Sequence, residues 1–373
     1  MSGTAPSTSV GELVRAVVVH DLPGSTLQLP STALPPRLWS PLVAQITRER
    51  LTGQLLAAAN QGALAVTSHQ REQLQTRHRR TMSQALRLEQ TLVTLDAAFR
   101  ANDVDVRVSK GAAVSNLDYD GTWRRGFGDL DLLVRSEQVE TAQHLLTSLG
   151  FARDEPAPRV DFDKRFGKSS TFIDKRGAEV DLHRTFVMGP YGLSVDLSQL
   201  WSEPADSFVL GEARIDALGP VGRLLHTCYV AVLGDFPPRI TPQRDLAEML
   251  LYGKANPDQV TSWAQHWGAE AVLATAIRET WRGFALTDET ALTVWAERYQ
   301  LTHEDRRLLA LYRRPDAPYA ALALSSVSKV KGVRRRAAFI YALSNPGPEF
   351  LDRRGSTLPR YLLRGAKRAL SRG

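Results

Sequence analysis

Three aspartates hold the chemistry this chain is equipped for. Asp129 and Asp131 stand two apart in Asp129-Leu130-Asp131-Leu132-Leu133-Val134, where acidic and apolar residues alternate. Successive strand side chains point to opposite faces, so this spacing sets both carboxylates on one face. Like charges so close repel, and a bound cation or a shared proton makes the arrangement stable. Further on, Glu179-Val180-Asp181-Leu182-His183 repeats the alternation and offers a third carboxylate, Asp181, on a second strand. Three carboxylates on adjacent strands suit a pair of Mg²⁺ ions facing a triphosphate. An Asp-x-Asp pair alone is also common on solvated edge strands, so its surroundings have to decide.

Those surroundings are a strand over 104–108, a turn at Lys110-Gly111, and a helix over Ala112–Leu117. Glycine lets the backbone approach a phosphate closely, and a helix start supplies unpaired N–H groups. The order is therefore strand, glycine turn, helix, a strand with two acids, and a strand with one.

On these residues the sequence resembles the nucleotidyltransferase superfamily that includes DNA polymerase beta, antibiotic nucleotidyltransferases and poly(A) polymerases. Within it, the chain is most similar to a bacterial uncharacterised nucleotidyltransferase family found beside exopolysaccharide and peptide-tailoring genes. The matching positions are Lys110-Gly111-Ala112-Ala113, Tyr119, Arg125, Asp129 to Val134, and Val180-Asp181-Leu182-His183. The resemblance spans residues 38–255 and is most specific over 106–185. It departs from the wider superfamily at Ala112, where a serine hydroxyl would otherwise meet the phosphates; Lys110 is the compensating charge.

The resemblance implies an α+β class, with a nucleotidyltransferase-fold mixed sheet flanked by helices, N-terminal helices and a C-terminal helical domain. It also implies attack of an acceptor oxygen on the α-phosphorus of an NTP, most simply ATP, with release of pyrophosphate. Asp129, Asp131 and Asp181 are then the catalytic and metal-holding residues for two Mg²⁺ (or Mn²⁺) ions. Lys110, Gly111, Ala112 and Arg125 form the nucleotide-binding set. Two of them have a plainer reading: Lys110 as an exposed strand-end lysine, Arg125 as an ion-pair partner of Asp129. His183 shares a face with Asp181 and reads better as a structural histidine than as an acceptor or metal contact. Arg244 and Asp245 are candidates for acceptor or support, and an interdomain ion pair serves them equally. His226 reads as core, and Trp201, Trp263 and Trp267 as packing residues.

Composition sets the outer bounds. A length of 373 residues, 43% hydrophobic and 23% charged, suits two domains, or one with a helical annex. A single cysteine, Cys228, rules out an intrachain disulfide and a cysteine-built metal cluster. No apolar run of membrane-spanning length and no signal-peptide pattern occurs, so a cytoplasmic location is expected, with possible peripheral attachment at the inner membrane face. No P-loop, Gly-x-Ser-x-Gly or His-Glu-x-x-His pattern is present. Charge is uneven: residues 329–373 carry twelve basic and two acidic side chains, leaving −3 of the overall +7 for everything before them.

The expected organisation is an N-terminal arm or linker (1–36), capping helices (37–100), a catalytic domain (101–215), a helical substrate-binding domain (216–325) and a basic amphipathic tail (326–373). One helical run is read over 39–60 and a longer one over 68–100. The tail suits an anionic membrane surface through residues 329–373, or simply solvent. Three functions remain open. The first is nucleotidylation of a small-molecule, glycan or peptide acceptor in biosynthesis. The second is toxin-like modification of a protein or tRNA, although the −3 body disfavours a nucleic-acid partner. The third is a silent nucleotide-binding scaffold recruited to membrane by the tail.

Overall fold

The computed structural model describes residues 9–313, 319–330 and 332–363. Seven strands form one open mixed sheet: β1 Val106–Val108, β2 Leu130–Val134, β3 Ala152–Arg153, β4 Ser169–Ile173, β5 Glu179–His183, β6 Asp206–Leu210 and β7 Ala213–Ala217. Their order is β3-β4-β5-β2-β1-β7-β6. The β2/β5 and β1/β7 pairs are parallel and the other neighbours antiparallel. Helices precede and follow the sheet, giving the α+β class with N-terminal and C-terminal helices that the sequence implies.

Strand alternation decides which way each residue faces. Leu130, Leu132, Val134, Val180 and Leu182 join one core with Leu92, Leu95 and Phe99 of helix Ser68–Ala101. The intervening residues look the other way. There Leu133 packs in a second core with Leu224, Leu225 and Cys228 of helix Pro220–Leu233. The acids of β2 and β5 are therefore held between a fully packed layer and a helical domain.

The N-terminal segment departs from the expected arm. Helix Val10–Val19 starts at a capping box between Ser9 and Glu12. It buries Leu13, Val14, Val17 and Val18 beside Leu42, Ile46 and Phe284. The apolar patch in the sequence is that buried face, and residues 1–8 lie outside the described residues. The run expected as one helix over 39–60 is two, Pro36–Arg48 and Thr52–Asn60. They part at Arg50, whose φ is 59°. The Arg50 carbonyl accepts a hydrogen bond from Gly126 N at 2.9 Å, so tertiary docking breaks a pattern that reads as continuous.

The basic tail also differs from the expectation. Helix Val333–Ser344 buries Phe339 and Ala342 against Phe162, Phe166 and Val330. Arg354 pairs with Glu155 at 3.1 Å. The part of the tail from 364 to 373 lies outside the described residues. Among the described residues, no helix is long and apolar enough to cross a membrane.

Candidate active site

Strand register assembles the site. In the parallel β2/β5 pair, Asp131 lies opposite Asp181 and Leu133 opposite His183. One ligand atom from each of Asp131, Asp181 and His183 lies within 4.8 Å of the others. Asp129 stands outside this trio, just before β2, with a carboxylate oxygen 4.0 Å from Lys110 Nζ. The closest grouping is thus two aspartates and a histidine, with the third aspartate at the entrance.

Asp131 is buried, and an unpaired buried carboxylate is prohibitively costly. Lys110 Nζ and His183 Nε2 both reach its Oδ1, each at 2.9 Å. Burial would raise the carboxyl's pKa, but the Lys110 charge and the His183 contact outweigh it and hold Asp131 well below the usual range. The same pair acts on Lys110: burial opposes its charge, and Asp131 with Asp129 overrides that and raises its pKa. Asp181 accepts a short hydrogen bond from the Thr171 hydroxyl, its cross-strand neighbour.

One feature of Asp131 points to a missing partner. Its Oδ2 is buried and has no hydrogen-bond donor among the described residues, a deficit worth about 1–3 kcal/mol. A second carboxylate and an imidazole lie beside it. Paired carboxylate oxygens suit a hard divalent ion such as Mg²⁺ or Mn²⁺, so Asp131 and Asp181 fit one, and the imidazole serves as a support for the carboxylate. Because His183 Nε2 donates to Asp131, its ring also fixes the carboxylate's orientation.

The glycine turn lies beside the acids. Gly111 has φ 57° and precedes helix Ala112–Leu117, an arrangement a side chain would strain. Ala113 N–H, one of the amides expected to face phosphate, donates instead to the Lys110 carbonyl at 3.2 Å.

Two candidates are engaged elsewhere. Arg125 forms a two-pronged ion pair with Asp245, Nε to Oδ1 at 3.2 Å and Nη2 to Oδ2 at 2.9 Å. The Tyr119 hydroxyl donates to the same carboxylate at 2.8 Å. This is the interdomain pair read for Asp245, but its partner is Arg125 and not Arg244, and Arg125 is not paired with Asp129. Arg244 turns toward the N-terminal helix, bonding the Val18 carbonyl, Asp21 and Glu248, and does not border the cleft.

A cleft of about 430 Å³ is lined by Asp129, Asp131 and His183 but not by Asp181, and it includes basic residues the sequence reading did not single out: Arg50, Lys168 and Arg239. The Arg50 guanidinium lies against Gly128, where a Cβ would come within 1.9 Å of its Cζ. Burial, then repulsion from Lys110, lowers the Lys168 pKa. His226 borders the same cleft, its Nδ1 3.2 Å from the Ser109 carbonyl. Arg50 and Lys168 lie in segments with no chemical signature of their own. The one available signal was the pair of glycines, Gly126 and Gly128, flanking Phe127 just before Asp129, which marks a close approach by another chain segment.

Residues 35–280 match the model of a family described as uncharacterised nucleotidyltransferase. A solved structure, an antigenic nucleotidyltransferase-like protein from Paracoccidioides brasiliensis, is 16% identical over 55% of this chain and 94% of that one, with a TM-score of 0.35. No curated protein matches the chain. With about two-thirds of its length inside the family match, over the segments that build the sheet and the acidic cleft, the chain belongs to the uncharacterised nucleotidyltransferase family.

Proposed function

We propose that the chain transfers a nucleoside monophosphate, AMP in the simplest case, from an NTP to a hydroxyl or phosphate of a small-molecule, glycan or peptide acceptor. The observation that carries this reading is the register of Asp131 against Asp181 beside an open cleft that Asp131, Lys110 and Asp129 line. Asp129, Asp131 and Asp181, supported by His183, would hold two Mg²⁺ or Mn²⁺ ions, which in such a site polarise phosphate and stabilise the attacking and leaving oxygens. Lys110, Arg50 and Lys168 line the cleft and offset the charge of a bound triphosphate. The acceptor oxygen bonds to the α-phosphorus as the bond to the β-phosphate bridging oxygen breaks. Pyrophosphate leaves with that electron pair, and Asp181, only partly buried, takes the acceptor's proton. A location in the cytoplasm and a biosynthetic role belong to this proposal.

The test incubates the full chain with each NTP, Mg²⁺ and an acceptor panel while pyrophosphate is followed. Acceptor-dependent release that stops with EDTA and returns with Mn²⁺ is the expected result. NTP binding with no release for any acceptor would overturn transfer and leave a nucleotide-binding scaffold.

A further inference from the structure

A second basic cavity, separate from the nucleotide cleft, lies where the C-terminal helices fold back on the sheet. Its volume is about 280 Å³, and its lining includes Arg184, Lys329, Arg335, Asp196 and His266. At its floor is Arg184, the residue after β5, which is only 5% exposed. A buried guanidinium is normally matched by a carboxylate. Among the described residues Arg184 has no carboxylate within ion-pair distance, and its Nε donates to the Gly167 carbonyl at 2.9 Å. Its Nη2 is buried with no acceptor among the described residues. The nearest acid to influence it, Asp163, is already bound to Arg153 at 2.7 Å.

Two exposed cations, Lys329 and Arg335, complete the basic lining. Among the described residues the Arg335 guanidinium reaches only a carbonyl, that of Arg165, at 3.4 Å. The single carboxylate among the described lining residues, Asp196, is committed to capping helix Leu197–Ser202 through Ser198 and Gln199, and to His266 at 3.1 Å. Three positive side chains therefore converge on a small cavity whose one acid is occupied. The segment carrying two of them is anchored by Val330 and Phe339 against Phe162 and Phe166.

We infer that Arg184, Lys329 and Arg335 form a binding site for the phosphate group of a small molecule, distinct from the nucleotide cleft. Phosphate offers several oxygens to planar guanidinium donors, and a charged oxygen supplies the acceptor that buried Arg184 lacks. The cavity lies at the lower end of the volumes that take small ligands, which fits a compact phosphorylated compound better than a macromolecular surface. The inference does not depend on nucleotidyl transfer.

The test titrates inorganic phosphate into the full chain at constant ionic strength and follows both heat and melting temperature. It compares wild type with Lys329→Gln/Arg335→Gln, both exposed positions. Phosphate bound at the acidic cleft is common to the two proteins, so their difference reports this cavity. A loss of at least tenfold in affinity for one binding event supports the site; unchanged isotherms overturn it. Arg184→Met supplies an independent reading. The site requires that this variant lose the same share of the phosphate-dependent rise in melting temperature that Lys329→Gln/Arg335→Gln loses. A purely structural arginine would instead lower the melting temperature equally at every phosphate concentration, which refutes the inference. Binding of phosphatidylglycerol vesicles that depends on Lys329 and Arg335, with no response to free phosphate, would also refute it in favour of a lipid surface.

Discussion

Lys110 Nζ sits 2.9 Å from Oδ1 of Asp131, at the floor of the acidic cleft, where it balances a carboxylate that the sheet has removed from water. Removing one partner of a buried pair leaves the other uncompensated, a loss of about 3–5 kcal/mol. Asp131→Asn is expected to lower unfolding stability on that scale, and Lys110→Met in the same chain to restore part of it. Urea titrations of the two single variants and the double variant give the coupling. Pyrophosphate release by Asp131→Asn is expected to fall by roughly 10²–10³-fold or more, the scale of losing a preorganised charge. Full activity in Asp131→Asn would refute its role.

The Arg125–Asp245 pair links the loop before β2 to helix Ile240–Tyr252, with both side chains almost wholly buried. Asp245→Ala strands the Arg125 charge and leaves the Tyr119 hydroxyl without its acceptor. A loss of about 3–5 kcal/mol follows. Retained NTP affinity in whatever fraction stays folded, measured by equilibrium dialysis, marks the pair as structural. A variant with unchanged melting temperature and weakened NTP binding would instead return Arg125 to the triphosphate.

Gly128 tests the Arg50 placement. A methyl group there meets the far end of a flexible arginine and not rigid backbone. The fold can yield by moving that side chain, so Gly128→Ala is expected to cost little stability while displacing Arg50 from the cleft. The expected signature is a KM for NTP raised several-fold with melting temperature nearly unchanged. If KM does not move, Arg50 has no part in nucleotide binding.

His226 predicts the acid limb of stability. Burial, reinforced by His183 and Lys110, pushes its pKa down to about 3. The unfolded chain takes up this proton as pH falls through about 6.5, whereas the folded chain resists until near 3. Its contribution is therefore complete above pH 6.5 and is lost toward pH 3, with a slope of up to about 1.4 kcal/mol per pH unit. Between pH 7 and pH 5 this residue alone accounts for a loss of about 2 kcal/mol. His226→Leu is expected to remove that increment, so between pH 7 and pH 5 the variant's urea-unfolding free energy falls by about 2 kcal/mol less than that of wild type. Parallel curves would contradict the burial argument.

Much of the site was legible in the residues themselves. A two-residue alternation in a strand assigns faces without any knowledge of partners, which is why Asp129 could be placed with Asp131, and Asp181 with His183, from spacing alone. Gly111 likewise announces a turn, because few other residues adopt its positive φ without strain. The helices over 68–101 and 220–233 follow from apolar periodicity and capping, both local properties.

The remainder was decided by contacts between distant segments. Spacing does not fix how far Asp129 stands from the other acids, because it lies just before the paired part of β2. Arg125 has equally plausible acidic partners in sequence, and only packing of the loop against helix Ile240–Tyr252 selects Asp245. The break at Arg50 depends on docking of Gly126, and the burial of helix Val10–Val19 on surfaces as distant in sequence as Phe284. Local propensity fixes which face an element would bury. What it buries that face against, and which charges it thereby pairs or leaves unpaired, belongs to the tertiary structure, since desolvation acts only once the layers have closed.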